Sequence, residues 1–106
     1  MRFPPTALVP AILLPAALAL AAEVVTVSQH GRAFLMRDVH IARGDTVHFT
    51  NDDDFTHQIY VSSPSFSYES AEQPPGEAVD VRFPSAGLFE VRCHIHPKML
   101  LHVDVR

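Results

Sequence analysis

The chain has 106 residues, a formal net charge of −4, one cysteine, seven histidines and no tryptophan. That length suits one small domain and excludes multidomain and coiled-coil architectures. Net acidity without a basic stripe argues against nucleic acid or an anionic membrane surface as the partner.

The first element reads as separate from the folded domain. Met1 to Ala21 carries a single Arg2, an apolar Ala/Leu-rich stretch beginning at Ala7, and an Ala19-Leu20-Ala21 close of the A-x-A cleavage type. As a membrane helix it falls short of the roughly 20 apolar residues a bilayer needs and is broken by Pro10 and Pro15. The reading is a secretory signal peptide over residues 1–21, with an uncleaved anchor as the alternative, and a working domain over residues 22–106. Part of the chain's 47% apolar content belongs to that leader, so the domain has enough for one core and little to spare.

From Glu23 onward the segments are short, rich in Val, Phe and Thr, and alternate in polarity. The spacing predicts strands over residues 23–29, 45–51, 57–62, 78–83, 87–94 and 100–106. Residues 62–76, with Pro64, Pro74 and Pro75, suit a connection or a sheet edge. No segment keeps apolar residues at i, i+3, i+4, i+7 over three turns, so the expected class is all-β, a Greek-key β-sandwich behind the signal peptide.

The chemistry concentrates in Cys93-His94-Ile95-His96-Pro97-Lys98-Met99. Alternation puts Phe89, Val91 and Cys93 on the inward face of their strand. Pro97 breaks regular structure, so His96 can turn back toward the thiol, and Met99 follows. A lone cysteine is more often a buried small hydrophobe, but the matched spacing of His96 and Met99 turns the balance toward metal. A fourth donor must come from elsewhere, and His57, opening a strand after the 51–56 connection, is best placed. Thiolate, two imidazoles and a thioether form the donor set of blue-copper electron-transfer sites, so copper is the favoured metal. His94 should face away from Cys93, and His30, His40, His48 and His102 read as exposed. Asp52-Asp53-Asp54 reads first as a solvated loop and second as charge that steers a basic partner.

At these residues the chain resembles the cupredoxins, most closely the amicyanins and more distantly the plastocyanins and pseudoazurins. The likeness runs through Gly44-Asp45-Thr46-Val47-His48-Phe49-Thr50-Asn51, His57, the strand into Cys93, and the C-x2-H-x2-M loop with Pro97 after its His. It implies His57, Cys93 and His96 as strong ligands of one copper ion and Met99 as the axial one. It also implies a monomeric periplasmic one-electron carrier, not an enzyme. The implied partners are redox proteins, a quinoprotein amine dehydrogenase as donor and a c-type cytochrome as acceptor. Phe55, Ile95 and Pro97 would form an apolar docking rim, interrupted by Lys98. Gln58 stands where the relatives have Asn after the first ligand. The rival function is a copper carrier or chaperone that hands on Cu(I); its mark would be additional exposed Met or His near the site, and Met36 is the one other Met beyond the leader. A blander third option is a docking sandwich with a degenerate site.

Overall fold

The computed structural model describes residues 1–14 and 21–106. Pro15, Ala19 and Leu20, which carry part of the signal-peptide reading, lie outside the described residues. Residues 1–14 are exposed throughout and contain no helix or strand. Among the described residues, no helix is long and apolar enough to cross a membrane.

Alternating apolar residues build the strands β1 (Val24–Gln29), β2 (Asp38–Ile41), β3 (Thr46–Asn51), β4 (Ile59–Ser62), β5 (Ser67–Glu69), β6 (Ala78–Arg82), β7 (Gly87–Cys93) and β8 (Leu100–Val105). They form a three-stranded sheet in the order β1-β3-β6 and a five-stranded sheet in the order β2-β8-β7-β4-β5. β1 runs parallel to β3 and β2 parallel to β8, while the other pairs are antiparallel. The chain therefore crosses repeatedly between sheets. β7 and β8 pair directly, as the expected C-terminal return requires.

Each sheet turns one face inward, as the period of two dictates. Val27, Val47, Phe49 and Val81 from one sheet meet Ile59, Val61, Phe89, Val91, Leu101 and Val103 from the other in a single buried cluster. The Phe66, Phe83 and Phe89 rings lie 5.3–5.9 Å apart within it. The all-β expectation holds, with local differences. β2 is a strand that patterning missed, because Val39 and Ile41 are its only inward residues. The proline-flanked 62–76 segment contains β5, which takes the outermost position of its sheet, where missing proline donors do no harm. β4 starts at Ile59, and His57 sits before it in an isolated bridge with Gln73.

The turn before β3 is fastened by one carboxylate. Asp45 accepts hydrogen bonds from the Glu23 and Ala42 backbone N–H groups, each at 2.9 Å. These donors favour the ionised form and hold the Asp45 carboxyl below its ordinary value, Glu23 contributing most. A depressed carboxyl stabilises the fold fully above the unfolded pKa, about 4, and loses that contribution as pH falls toward the folded value. Asp45→Asn sets an amide NH2 against one of the two donors, so it should weaken the domain at neutral pH and flatten the acid limb of its stability. Urea unfolding at neutral pH and near pH 3 compares the two chains.

Candidate metal centre

Cys93 ends β7 with its side chain inward and 1% exposed. Beyond it the chain leaves the sheet and folds into a turn, closed by the Met99 N–H donating to the His96 carbonyl at 3.0 Å. That turn, opened by Pro97, carries His96 back toward the thiol, and Met99 is buried within it. β4 pairs with β7 so that Ile59 faces Cys93, which sets His57, two residues earlier, beside the sulfur. The three expected strong donors do converge. His57 Nδ1 lies 3.6 Å from Cys93 Sγ, His96 Nδ1 lies 4.0 Å from it, and the two nitrogens are 3.2 Å apart.

His57 is fully buried, and its orientation is fixed from behind. Its Nε2 faces Asp53 Oδ2 at 3.0 Å. A carboxylate acceptor there makes Nε2 the protonated nitrogen and leaves the Nδ1 lone pair aimed into the triangle, the arrangement by which carboxylates orient metal-binding imidazoles. Asp53 is itself 7% exposed, so the run of three aspartates is not the solvated loop expected from its sequence. Burial alone would raise the Asp53 carboxyl. The Arg32 N–H, the His57 imidazole and the Asp54 N–H more than offset it and hold the carboxyl at about 2.

A buried polar frame, invisible in the sequence, completes the back wall. Backbone bonds run both ways between His57 and Gln73, at 3.0 and 2.7 Å. The Gln73 amide donates to the Phe49 and Glu77 carbonyls. Asn51 Nδ2 donates to the Phe55 and Gln73 carbonyls, and Asn51 Oδ1 accepts from the Asp53 N–H. The frame's two side chains, Asn51 at the end of β3 and Gln73 in the proline-flanked connection, are uncharged amides that no spacing in the sequence singles out.

Gln58 turns out to be a tie. Its backbone N–H points at Cys93 Sγ at 3.4 Å, and its side-chain amide donates to the Ser70 carbonyl and to Glu69. His96 is the half-buried member of the triangle. Burial, then the nearby His57 and Arg32, lower its pKa against the opposing pull of Asp53, which keeps the imidazole neutral and able to donate a lone pair. Phe55 meets the His96 ring edge-on at 5.9 Å, and Phe55, Ile95 and Pro97 are exposed beside it, as the apolar rim requires. His94 does face away from the thiol, stacked on Tyr60 at 3.8 Å and 3.2 Å from Glu69. His30 and His40 are exposed, whereas His48 and His102 are half-buried beside carboxylates.

The donor set fits copper on its own chemistry. First-row bonds of about 2.0–2.1 Å to nitrogen and about 2.3 Å to sulfur, spread trigonally, need donors roughly 3.6–3.8 Å apart, close to the triangle observed. Thiolate with imidazole and a thioether selects copper over harder ions. Among the described residues, His57, Cys93 and His96 are the one such group that can hold a metal ion.

No family sequence model and no curated protein matches the chain. Solved structures do. A purple cupredoxin from Nitrosopumilus maritimus aligns at TM-score 0.69 and 20% identity over 77% of this chain and 99% of its own. A reduced amicyanin variant aligns at 0.72 and 21% over 78% and 82%. A copper-containing nitrite reductase from Thermus scotoductus aligns at 0.72 and 27% over 89% of this chain, which spans 25% of that enzyme. The fold is that of the cupredoxins. If Asp53 orients His57, Asp53→Ala should weaken metal binding about 10–100-fold, with Asp53→Asn between that variant and the parent. Competition against a Cu(I) chelator reads both.

Proposed function

We propose that this protein is a type 1 copper protein that carries single electrons between redox partners, with His57, Cys93 and His96 as strong ligands and Met99 as the axial one. The observation that carries the reading is the triangle of Sγ and two Nδ1 atoms, within 4.8 Å of one another, with its imidazole oriented from behind by Asp53. Copper bound there would alternate between Cu(I) and Cu(II) and so hold or release one electron.

The chain's own residues do the rest. Asp53 accepts at His57 Nε2, so Nδ1 is the nitrogen presented to the ion. The Gln58 N–H points at Cys93 Sγ, so a copper-bound sulfur would accept a hydrogen bond there. Burial of His57, Cys93 and Met99 excludes bulk water and limits rearrangement between oxidation states. His96 alone of the donors reaches toward the surface, and the exposed Phe55, Ile95 and Pro97 around it suit brief, weak contact with a partner. A carrier needs such an edge, and a sealed centre suits a carrier better than an enzyme.

Export to the periplasm is part of the same reading. It is supported by the A-x-A close of the leader and by Phe3, Leu8 and Leu13, which are exposed and pack on nothing in the domain. By likeness to amicyanin the partners are a quinoprotein amine dehydrogenase and a c-type cytochrome. The test is a visible spectrum of the domain over residues 22–106 titrated with Cu²⁺. An intense thiolate-to-copper band that saturates at about one equivalent and bleaches reversibly on reduction is expected. Cys93→Ala should abolish the band while the far-ultraviolet circular dichroism stays that of the parent. Tight Cu(I) binding with no band would instead indicate copper delivery.

A further inference from the structure

Arg32 occupies a position that a side chain ordinarily avoids. Gln29 and Phe34 form an antiparallel bridge, and His30 donates its N–H to the Ala33 carbonyl at 3.0 Å, leaving Gly31 and Arg32 as a two-residue hairpin turn. Both have positive φ, 63° and 56°. That turn type needs a left-handed backbone at both positions, and glycine is the usual occupant of the second. Here the second is an arginine, the one non-glycine residue with positive φ among the described residues. A strained side chain retained at such a point directs attention to what it touches.

It touches the metal centre's surroundings twice. The Arg32 N–H donates to Asp53 Oδ2 at 2.8 Å, the same oxygen that faces His57. The guanidinium lies over the Phe55 ring, 4.0 Å from its centroid, and Phe55 abuts His96. An aromatic face holds a guanidinium in place without neutralising it. Among the described residues, no carboxylate lies within ion-pair distance of Arg32. Lys98, also exposed and without such a partner, follows two residues after His96. In the adjoining loop Asp52 and Asp54 are exposed, Asp52 accepting from the Ser28 and Thr50 hydroxyls, while Asp53 is buried between them. The aromatic ring that abuts His96 therefore carries an unpaired cation on its face.

We infer that Arg32 is the specificity-determining residue of the electron port, its guanidinium fixed on Phe55 to select redox partners that present carboxylates opposite His96. The inference rests on the electron-carrier reading for its purpose, but the anion preference is a property of the chain itself. The probe is hexacyanocobaltate(III), a redox-inert trianion, titrated by ¹⁵N NMR into the metal-free and the reduced copper-loaded chain at low and high salt. Shift changes should centre on Arg32, Phe55 and His96 and fade with salt. Arg32→Gly accepts the positive φ without strain and keeps the N–H to Asp53, so it should fold at least as stably as the parent. It should nevertheless weaken the anion about threefold to fivefold, as loss of one exposed charge allows. Arg32→Lys should keep part of the binding. Shifts that lie elsewhere, or an affinity that Arg32→Gly leaves unchanged, would overturn the assignment. Absence of the blue band would strike the carrier reading and leave this result standing.

Discussion

A buried carboxylate beside a buried imidazole costs several kcal/mol in desolvation unless each finds hydrogen-bond partners. The Asp53–His57 contact meets that condition, and the rest of the centre depends on how it does so. Asp53 takes donors from the Arg32 and Asp54 backbones as well as from His57. His57 is locked on its other side by backbone bonds to Gln73. The contact thus joins the hairpin after β1, the loop after β3 and the segment before β4, which otherwise share no strand pairing. With His57 held, its Nδ1 is presented to a sulfur that β7 positions independently. Two corners of the triangle thus come from separate supports, and the turn after β7 supplies the third.

Much of this was legible from side-chain alternation. Phe89, Val91 and Cys93 face inward as the period of two requires, and the C-x2-H-x2-M spacing brought His96 back to Cys93 and placed Met99 in the same turn. What escaped were groups whose burial is decided by other parts of the chain. Asp53 lies between two exposed aspartates and reads like them; the Arg32 and Asp54 N–H groups and His57 make its burial tolerable. Gln73 sits in a proline-flanked connection that gives no hint of a bridge to His57. β2 offers too few residues for a period to register, and it becomes a strand because β8 lies alongside it.

Gln58 illustrates how a departure in sequence can leave the physics intact. The hydrogen bond to Cys93 Sγ comes from the backbone N–H, which every residue but proline supplies, so the side chain at this position does not decide it. The longer amide is free to reach the Ser70 carbonyl instead and fastens the His57–Gln58 segment to the chain beyond β5. Ser70 reinforces the link by accepting from the Ile59 N–H at its hydroxyl.

Net charge does not say where on the fold the charges stand. In the sequence the aspartate run near His57 reads first as a solvated loop and second as charge that steers a basic partner. The fold distributes the same charges differently. Acids on the sheets stand beside histidines: Asp104 by His40, Asp80 by His48, Glu69 by His94, and Asp38 and Glu90 by His102. The aspartate run is turned partly inward to hold His57. The guanidinium that shares the Asp53 support is left facing outward on Phe55. Orienting the buried imidazole and placing a cation on the ring beside the exposed one are thus consequences of a single turn, because the backbone of Arg32 serves the first and its side chain the second.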